Sequence, residues 1–211
     1  MTENPFESAA RQYDNWYEQF PNTFQSELLA LRSMLPHAGQ WVEIGVGTGR
    51  FAAQLGISLG IDPSKAMSAL ASSRGIEVIC GRAEALPLDP GSVDAVFFIT
   101  TLCFVQDLHL ALEEVQRVLR PGGHCIIGLL PLDSPLGEGM RAHADSDIFF
   151  RHARLHSTHD VCQALHVSGL VHQQAMQTLL GSPESFEARV QLPVPGHDRG
   201  SFVVIRATSE P

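Results

Sequence analysis

The chain has 211 residues, of which 44% are hydrophobic and 18% charged, a composition that excludes disordered and low-complexity proteins. Fourteen Lys and Arg against 23 Asp and Glu give a formal net charge of -9, so the protein repels a phosphate backbone and we expect no nucleic-acid partner. No apolar run predicts a membrane span or a leader peptide, so we expect no membrane partner and a cytoplasmic location.

The first part of the chain, residues 1–38, is predicted to form a helical cap. Aromatic side chains recur there at intervals of three and four residues, and Pro21 interrupts the pattern. From Trp41 onward, short apolar runs alternate with helical patterns. Strands are predicted at 41–45, 58–62, 75–80, 93–100 and 124–130, and helices at 50–55, 64–72 and 108–119. This order predicts an α/β fold, a doubly wound and mostly parallel sheet with helices on both faces.

The last third of the chain is predicted to close this sheet. Residues 131–156 are irregular and rich in turn residues, so they are interpreted as a lid that also shapes a substrate pocket. A helix at 158–167 and strands at 171–180 and 201–207 follow, which brings the predicted strands to seven. We expect one domain over residues 1–211, with the core of the site in 41–130 and the closing elements in 157–207.

A glycine-rich turn, Glu43-Ile44-Gly45-Val46-Gly47-Thr48-Gly49, directly follows the first predicted strand and opens a helix. Glycines at such a turn let the backbone approach a ligand closely. A dinucleotide site uses the spacing Gly-x-Gly-x-x-Gly, whereas this turn has Gly-x-Gly-x-Gly. Asp62 ends the second predicted strand, where its carboxylate can accept hydrogen bonds from two ribose hydroxyls. Together these features favour a nucleoside that carries no pyrophosphate.

Four motifs in this order resemble those of class I S-adenosylmethionine-dependent methyltransferases of the small type 11 kind. They are residues 43–49, residues 60–64 with Met67, residues 81–88 followed by 91–96, and residues 112–115 continuing through 117–123. The resemblance implies a Rossmann-like methyltransferase fold whose last strand is antiparallel. It also implies S-adenosyl-L-methionine as the cofactor.

The resemblance places the methionine part of the cofactor over the glycine-rich turn. Gly45, Gly47 and Gly49 would pass under it. Glu43 would orient its amino group, and the backbone of Thr100 would contact it after the fourth strand.

The adenosine part would lie beside the second and third motifs. Asp62 would hold the ribose hydroxyls, and Pro63 and Met67 would flank the adenine ring. Ala83 and Glu84 would bracket the adenine edge.

One position departs from the family pattern. Many relatives have Asp where this chain has Arg82, and a guanidinium cannot accept a hydrogen bond from the adenine amino group. Either Glu84 takes over that role, or the backbone and packing hold the adenine.

Aromatic residues of the cap are further candidates for the cofactor site. Tyr13 and Trp16 lie about one helical turn apart, and a similar N-terminal Tyr lies over the cofactor in relatives. The alternative is that this helix packs its aromatic stripe on the core.

The acceptor pocket is predicted beyond the fourth and fifth strands, around Thr101, Leu102 and Phe104. These types favour a small, partly apolar methyl acceptor. Candidate proton-transfer residues are Tyr13, His143 and His156. No metal is expected, because the histidines of 143–159 have no third ligand at a characteristic spacing and the four cysteines form no Cys-x-x-Cys pair.

These features predict an enzyme that transfers a methyl group by in-line displacement to N, O or S of a small molecule, acting as a monomer or homodimer. The alternative is a non-catalytic S-adenosylmethionine-binding or interaction protein, which the Arg82 departure favours. A nicotinamide-dependent oxidoreductase would need the longer glycine spacing. The acidic charge disfavours an RNA methyltransferase.

Overall fold

The computed structural model describes residues 4–209, and its centre is one mixed sheet of eight strands in the order β3-β2-β1-β4-β5-β8-β6-β7. β1 to β5 pair in parallel, and β8 runs antiparallel to both β5 and β6. The strands are β1 Trp41–Ile44, β2 Leu59–Ile61, β3 Glu77–Ile79, β4 Val93–Ile99, β5 Leu119–Leu129, β6 Leu170–Thr178, β7 Val194–Pro195 and β8 Phe202–Ser209.

Eight α-helices of the described range accompany this sheet. They are α1 Pro5–Ser8, α2 Ala10–Gln19, α3 Pro21–Arg32, α4 Arg50–Leu55, α5 Lys65–Ser73, α6 Leu108–Val118, α7 Pro135–Ala142 and α8 Thr158–Val167. Short 3₁₀ turns lie at Leu102–Phe104, Ala144–Ser146, Phe150–His152 and Pro183–Ala188. Among residues 4–209, no helix has the length and apolar character needed to span a membrane.

The core has two layers because successive side chains of a strand point to opposite faces of the sheet. In β4, Val96 and Phe98 pack with buried residues of α6 and α8. Ala95, Phe97 and Ile99 pack on the other face with buried residues of α3 and α4. The strongly apolar run of β4 therefore comes from burial on both faces, as the sequence predicts for a central parallel strand.

The predicted fold class is confirmed, including the antiparallel last strand. The strand count differs, since the sheet has eight strands rather than seven. The additional strand, β7, has two residues and pairs with β6 through Met176 and Gln177. It lies in the stretch 181–200 that the sequence predicts as a loop, because a two-residue strand that contains Pro195 and follows Pro193 gives no readable strand pattern.

Capping residues set several helix boundaries. Ser64 caps α5 by accepting a hydrogen bond from the backbone N–H of Met67 at 3.2 Å. Ser157 and Asp160 form a capping box at the start of α8. The N-terminal helical segment, predicted over residues 1–38, is interrupted at two places. One is Pro21, which begins α3, and the other is Ala9, which lies between α1 and α2.

Strand order reverses at β1, which lies between β2 and β4. In open α/β sheets, the crevice at the carboxyl ends of the strands next to such a reversal is where ligands bind. A ligand site is therefore expected among the residues that follow β1, β2 and β4.

Candidate active site

A cavity of about 500 Å³ opens at the carboxyl ends of β1, β2 and β4. We call the residues that end or follow these strands, 43–48, 62–64 and 99–101, the floor of the cavity. We call α1, α2 and residues 149–154 its roof, because Phe6, Tyr13, Phe149 and Arg154 line the cavity from these elements. The cavity therefore lies at the switch point that the sheet topology indicates.

Glu43 of β1 places a carboxyl group in the floor. Its side chain is 2% exposed, and its Oε2 atom has no hydrogen-bond partner among the described residues. Burial, with a smaller contribution from the nearby charge of Asp62, raises the pKa of Glu43 well above its usual value. An unpartnered buried carboxyl is costly, and a cationic group in the cavity would satisfy it.

Asp62 connects the glycine-rich turn to the end of β2. One carboxylate oxygen accepts from the N–H of Gly47 and the other from the N–H of Ser64, both at 2.8 Å. Burial raises the pKa of Asp62, and these two N–H groups partly oppose that shift. Each carboxylate oxygen retains a lone pair, so the group can still accept from two vicinal hydroxyls of a ligand.

The glycines of the turn have different roles. Gly47 adopts φ +55°, and the space beside its Cα is open toward the cavity, so a side chain there would be strained and would fill the site. At Gly45 a Cβ atom would collide with the side chain of Thr101. Gly49 does not line the cavity; it packs α4 against Ala71 of α5, where a Cβ atom would lie 3.0 Å away.

Thr100 follows β4 in a left-handed conformation, with φ +52°. A β-branched residue in this region is a backbone outlier, and such strain costs on the order of 1–3 kcal/mol. Thr100 is held there by donating its N–H to the carbonyl of Gly128 at 2.9 Å. Strain that the surrounding sheet maintains at the edge of a cavity is typical of a functional position.

The segment after β3 forms a third side of the cavity. Ala83 and Glu84 line it, and the Glu84 carboxylate accepts from the N–H of Gln106 at 2.7 Å. The guanidinium Nε of Arg82 lies 3.6 Å from Glu84, and its side chain is 52% exposed. Arg82 and Glu84 therefore lie side by side in the cavity wall, and which group accepts from the adenine amino group stays a prediction.

Aromatic rings build the roof. The ring centroid of Phe6 lies 5.8 Å from Tyr13, 4.9 Å from Phe104 and 5.7 Å from Phe149. The hydroxyl of Tyr17 donates to that of Tyr13 at 3.2 Å. Burial raises the pKa of Tyr13, so its phenol keeps its proton at neutral pH.

A partly buried ion network connects the roof to the floor. Arg50 of α4 donates to both carboxylate oxygens of Asp14 in α2, at 2.9 and 2.7 Å. Arg74 donates to Asp14 at 2.8 Å and to the carbonyl of Thr48, in the glycine-rich turn, at 2.7 Å. Burial alone would raise the pKa of Asp14, but the hydrogen bonds from Arg50, Thr48 and Arg74 hold it well below its usual value.

α1 is attached to the floor by its acidic side chain. The Glu7 carboxylate accepts from the N–H groups of Lys65 and Ala66, at 2.8 and 2.9 Å, at the start of α5. These hydrogen bonds lower the pKa of Glu7. Phe6 is thereby placed over the cavity.

Comparison with known proteins identifies the family. Residues 42–127 match the family model described as a methyltransferase domain. An uncharacterised curated protein of Methanocaldococcus jannaschii is 35% identical over 204 residues, which cover 97% of this chain and 98% of the relative. A crystal structure from Thermotoga maritima, described as a SAM-dependent methyltransferase and possible histamine N-methyltransferase, is 37% identical. It covers 97% of this chain and 98% of its own, with a TM-score of 0.93.

The chain belongs to the S-adenosylmethionine-dependent methyltransferases. A more distant similarity agrees with this: a malonyl-[acyl-carrier protein] O-methyltransferase of Methylococcus capsulatus is 32% identical over 129 residues, which cover 56% of this chain and 47% of that protein. S-adenosylmethionine is the cofactor of the family. The floor fits it chemically, because Glu43 lacks a partner that the cofactor's ammonium group would supply.

Most residues predicted to bind the cofactor of this methyltransferase do line the cavity. They are Tyr13, Glu43, Gly45, Gly47, Asp62, Pro63, Met67, Ala83, Glu84 and Thr100. Thr101 and Phe104, predicted to contact the acceptor, line it as well. The structure brings these positions together, and their individual roles stay predictions.

Five predicted residues do not line the cavity of the methyltransferase. Besides Gly49, Trp16 is 39% exposed and packs on Phe20, because it lies on the outer side of α2. Leu102 points into the core instead. His143 and His156 are also outside, since His143 ends α7 on the surface and the backbone of His156 pairs with that of Leu132.

The sequence predicts that residues 131–156 shape the pocket of the methyltransferase, but it did not single out Phe149, His152 or Arg154 within that stretch, nor Phe6 in the N-terminal cap. Phe6 belongs to the predicted aromatic stripe, which was the available signal. The others lie in an irregular stretch without a readable period. Within residues 4–209, no group of three or more His, Cys, Asp or Glu side chains could hold a metal ion.

Proposed function

We propose that this methyltransferase transfers the methyl group to N, O or S of a small molecule by in-line displacement. One observation carries the proposal: the Glu43 carboxyl, whose Oε2 atom has no partner among the described residues, shares one cavity of about 500 Å³ with the Gly47–Asp62 contact. This combination suits a nucleoside that bears an amino acid. S-adenosylmethionine, when bound, supplies a methyl group already activated by the positive sulfur.

The floor would hold the cofactor from three strand ends. Glu43 would accept from the ammonium group, and Asp62 from the ribose hydroxyls. Gly45 and Gly47 would leave room for the methionine chain, and the strained backbone of Thr100 would contact it from β4. Displacement needs alignment above all, and rigid strand ends provide it.

The roof would exclude water from the reacting atoms. Phe6, Phe104 and Phe149 form an apolar covering over this part of the cavity. Tyr13 keeps its proton, so its phenol would orient the acceptor by a hydrogen bond rather than remove a proton from it. We therefore expect acceptors that need no strong base, such as neutral amines, thiols or groups that are already ionised.

The test is a calorimetric titration with S-adenosylmethionine and with S-adenosylhomocysteine, the demethylated product. We expect both to bind, and Asp62→Ala to weaken both about tenfold or more, since a charged hydrogen-bond acceptor contributes roughly 1.5–3 kcal/mol. A panel of amines, phenols and thiols then tests turnover. Normal binding by Asp62→Ala would contradict the assigned cofactor position.

The remaining expectations stay predictions and need their own measurements. A monomer or homodimer is tested by sedimentation. A cytoplasmic location, suggested by the four cysteines, all free in the structure, is tested by fractionation of the source cells.

A further inference from the structure

The cavity lining contains both acidic and basic groups. The carboxyl groups of Glu43 and Asp62 lie at the floor, where the cofactor would bind. Of the basic side chains in the lining, Arg50 pairs with Asp14, and Arg82 lies 3.6 Å from Glu84. His152 and Arg154 belong to the roof segment that also carries Phe149, so they lie beside the phenyl rings on the acceptor side.

The rings at the acceptor end form a continuous apolar wall. Phe6 and Phe104 meet edge to face, with an interplanar angle of 77°, and Phe149 lies against Phe6 at 41°. Phe150 supports Phe104 from behind, at a centroid distance of 5.6 Å. Edge-to-face and tilted arrangements of this kind accommodate a further aromatic ring.

The basic side chains beside this wall have no acidic partner. Both residues are exposed, and with the side chains that the structure describes neither His152 nor Arg154 forms an ion pair or a side-chain hydrogen bond. Arg154 is nevertheless fixed in place by its backbone, since its N–H donates to the carbonyl of Cys103 at 2.7 Å.

The third acidic side chain of the cavity lining, besides Glu43 and Asp62, is already engaged. Glu84, which also lines the cavity, accepts from Gln106 and lies beside Arg82. Arg154 and His152 are thus left available to a ligand.

We propose that the methyl acceptor is a small aromatic molecule with a carboxylate group, which Arg154 and His152 bind while the ring packs on the phenyl wall. The planar guanidinium matches a carboxylate with two parallel hydrogen bonds. This proposal rests on the proposed function, because it assigns the acceptor end of the same cavity.

The experiment first saturates the protein with S-adenosylhomocysteine and then measures binding of three simple probes by ligand-detected NMR. Benzoate carries the carboxylate, benzamide is its neutral counterpart, and benzylamine carries a positive charge. We expect benzoate to bind at least tenfold more tightly than either of the others. Arg154→Gln should abolish that preference, and His152→Gln should reduce it.

Arg151→Gln is the matched control. Arg151 lies on the same segment and is exposed, but it does not line the cavity. Its replacement removes the same charge and should leave the preference for benzoate intact. Equal losses in Arg151→Gln and Arg154→Gln would show a general effect of charge and would overturn the proposal.

If S-adenosylhomocysteine binds normally, three results would overturn the proposed acceptor without affecting the proposed function. They are undetectable binding of benzoate, tighter binding of benzylamine than of benzoate, and an unchanged preference for benzoate in Arg154→Gln. Failure of S-adenosylhomocysteine to bind would instead remove the proposed function on which the inference rests. Turnover offers a second readout: hydroxy-, amino- and mercaptobenzoates should be methylated in preference to phenol, aniline and thiophenol.

Discussion

The floor of the cavity is held by backbone hydrogen bonds between neighbouring strand ends, whereas the roof is held by side chains from distant parts of the sequence. In the floor, Asp62 accepts from two backbone N–H groups, and the N–H of Gly45 donates to the carbonyl of Ile61 at 2.7 Å. In the roof, ring contacts of Phe6 and the ion pairs of Asp14 provide the connections.

Because the floor and the roof are held in different ways, we expect them to have different functions. The floor cannot move without disturbing the central sheet, so it can hold a cofactor in fixed alignment. The roof can be loosened by changing a few side chains, so it is the side on which ligands can enter and leave. Variants on each side should therefore change different measurements.

The largest effect is expected for Asp14→Asn, which weakens the attachment of the roof. The change leaves Arg50 and Arg74 without their shared carboxylate, and we expect a loss of about 2–3 kcal/mol in the free energy of unfolding. Urea denaturation measures it. S-adenosylhomocysteine should still bind within about threefold, and a much larger loss of affinity would show that the floor depends on the roof.

The pH dependence of Asp14 gives a second check on the same variant. Its folded-state pKa is lowered, so its contribution to stability is present above the unfolded pKa, about 3.9, and is lost as the pH falls through the lower folded-state value. The stability of Asp14→Asn should therefore fall less than that of the parent protein as the pH is lowered, because the variant has no Asp14 contribution to lose. Identical acid unfolding curves for both proteins would contradict the assignment.

Glu43→Gln should change the floor and spare the roof. Loss of the charged partner of the ammonium group should weaken S-adenosylmethionine binding by about 2 kcal/mol, roughly 30-fold. Binding of 5′-methylthioadenosine, which lacks the amino acid part, should not change. The free energy of unfolding without ligand should stay equal or rise, since the replaced carboxyl is buried and its Oε2 atom has no partner in the described structure. Equal losses for both ligands would place Glu43 elsewhere in the site.

Glu27→Gln tests how a buried carboxyl group in α3 affects the pH dependence of stability. Glu27 of α3 is 4% exposed, and burial raises its pKa to about 8. The folded state therefore retains a proton that the unfolded chain has lost, so stability falls as the pH rises from about 4.3 to about 8. We expect Glu27→Gln to be more stable than the parent by about 1 kcal/mol at pH 8.5 and by less at pH 5, measured by urea denaturation.

Glu113→Gln is the control for that measurement. Glu113 is exposed on α6, and its replacement should leave the pH profile of stability unchanged. A similar change in both variants would mean that net charge, rather than burial of Glu27, controls the profile.

The smallest effect is expected for His143→Ala. His143 is exposed at the end of α7, and its Nδ1 atom lies 2.9 Å from the carbonyl of Gly139. The kcat/KM for methyl transfer should stay within about twofold of the parent value, and the free energy of unfolding should change by less than about 0.5 kcal/mol. A loss of activity above tenfold would show that the acceptor extends beyond the cavity to α7.

The floor could be predicted from the sequence because its signals are local. An apolar run followed by a glycine-rich turn gives both β1 and the turn, and the Asp that ends β2 follows a second apolar run. Parallel pairing then places the carboxyl ends of neighbouring strands at one edge. The role of Gly49 could not be inferred from the sequence, because the glycine spacing is the same whether the third glycine contacts a ligand or packs against α5.

The sequence by itself determined the order of strands and helices, the glycine-rich turn and the acid at the end of β2, because periodicity and capping act over a few residues. Only the tertiary structure decided which side chains cover the cavity. The rings of Phe6 and Phe149 are in contact although one precedes residues 41–130 in the sequence and the other follows them. Asp14 pairs with Arg50, which lies 36 positions further along the chain. Such contacts form only when the whole sheet brings its surrounding segments together, and no local pattern records them.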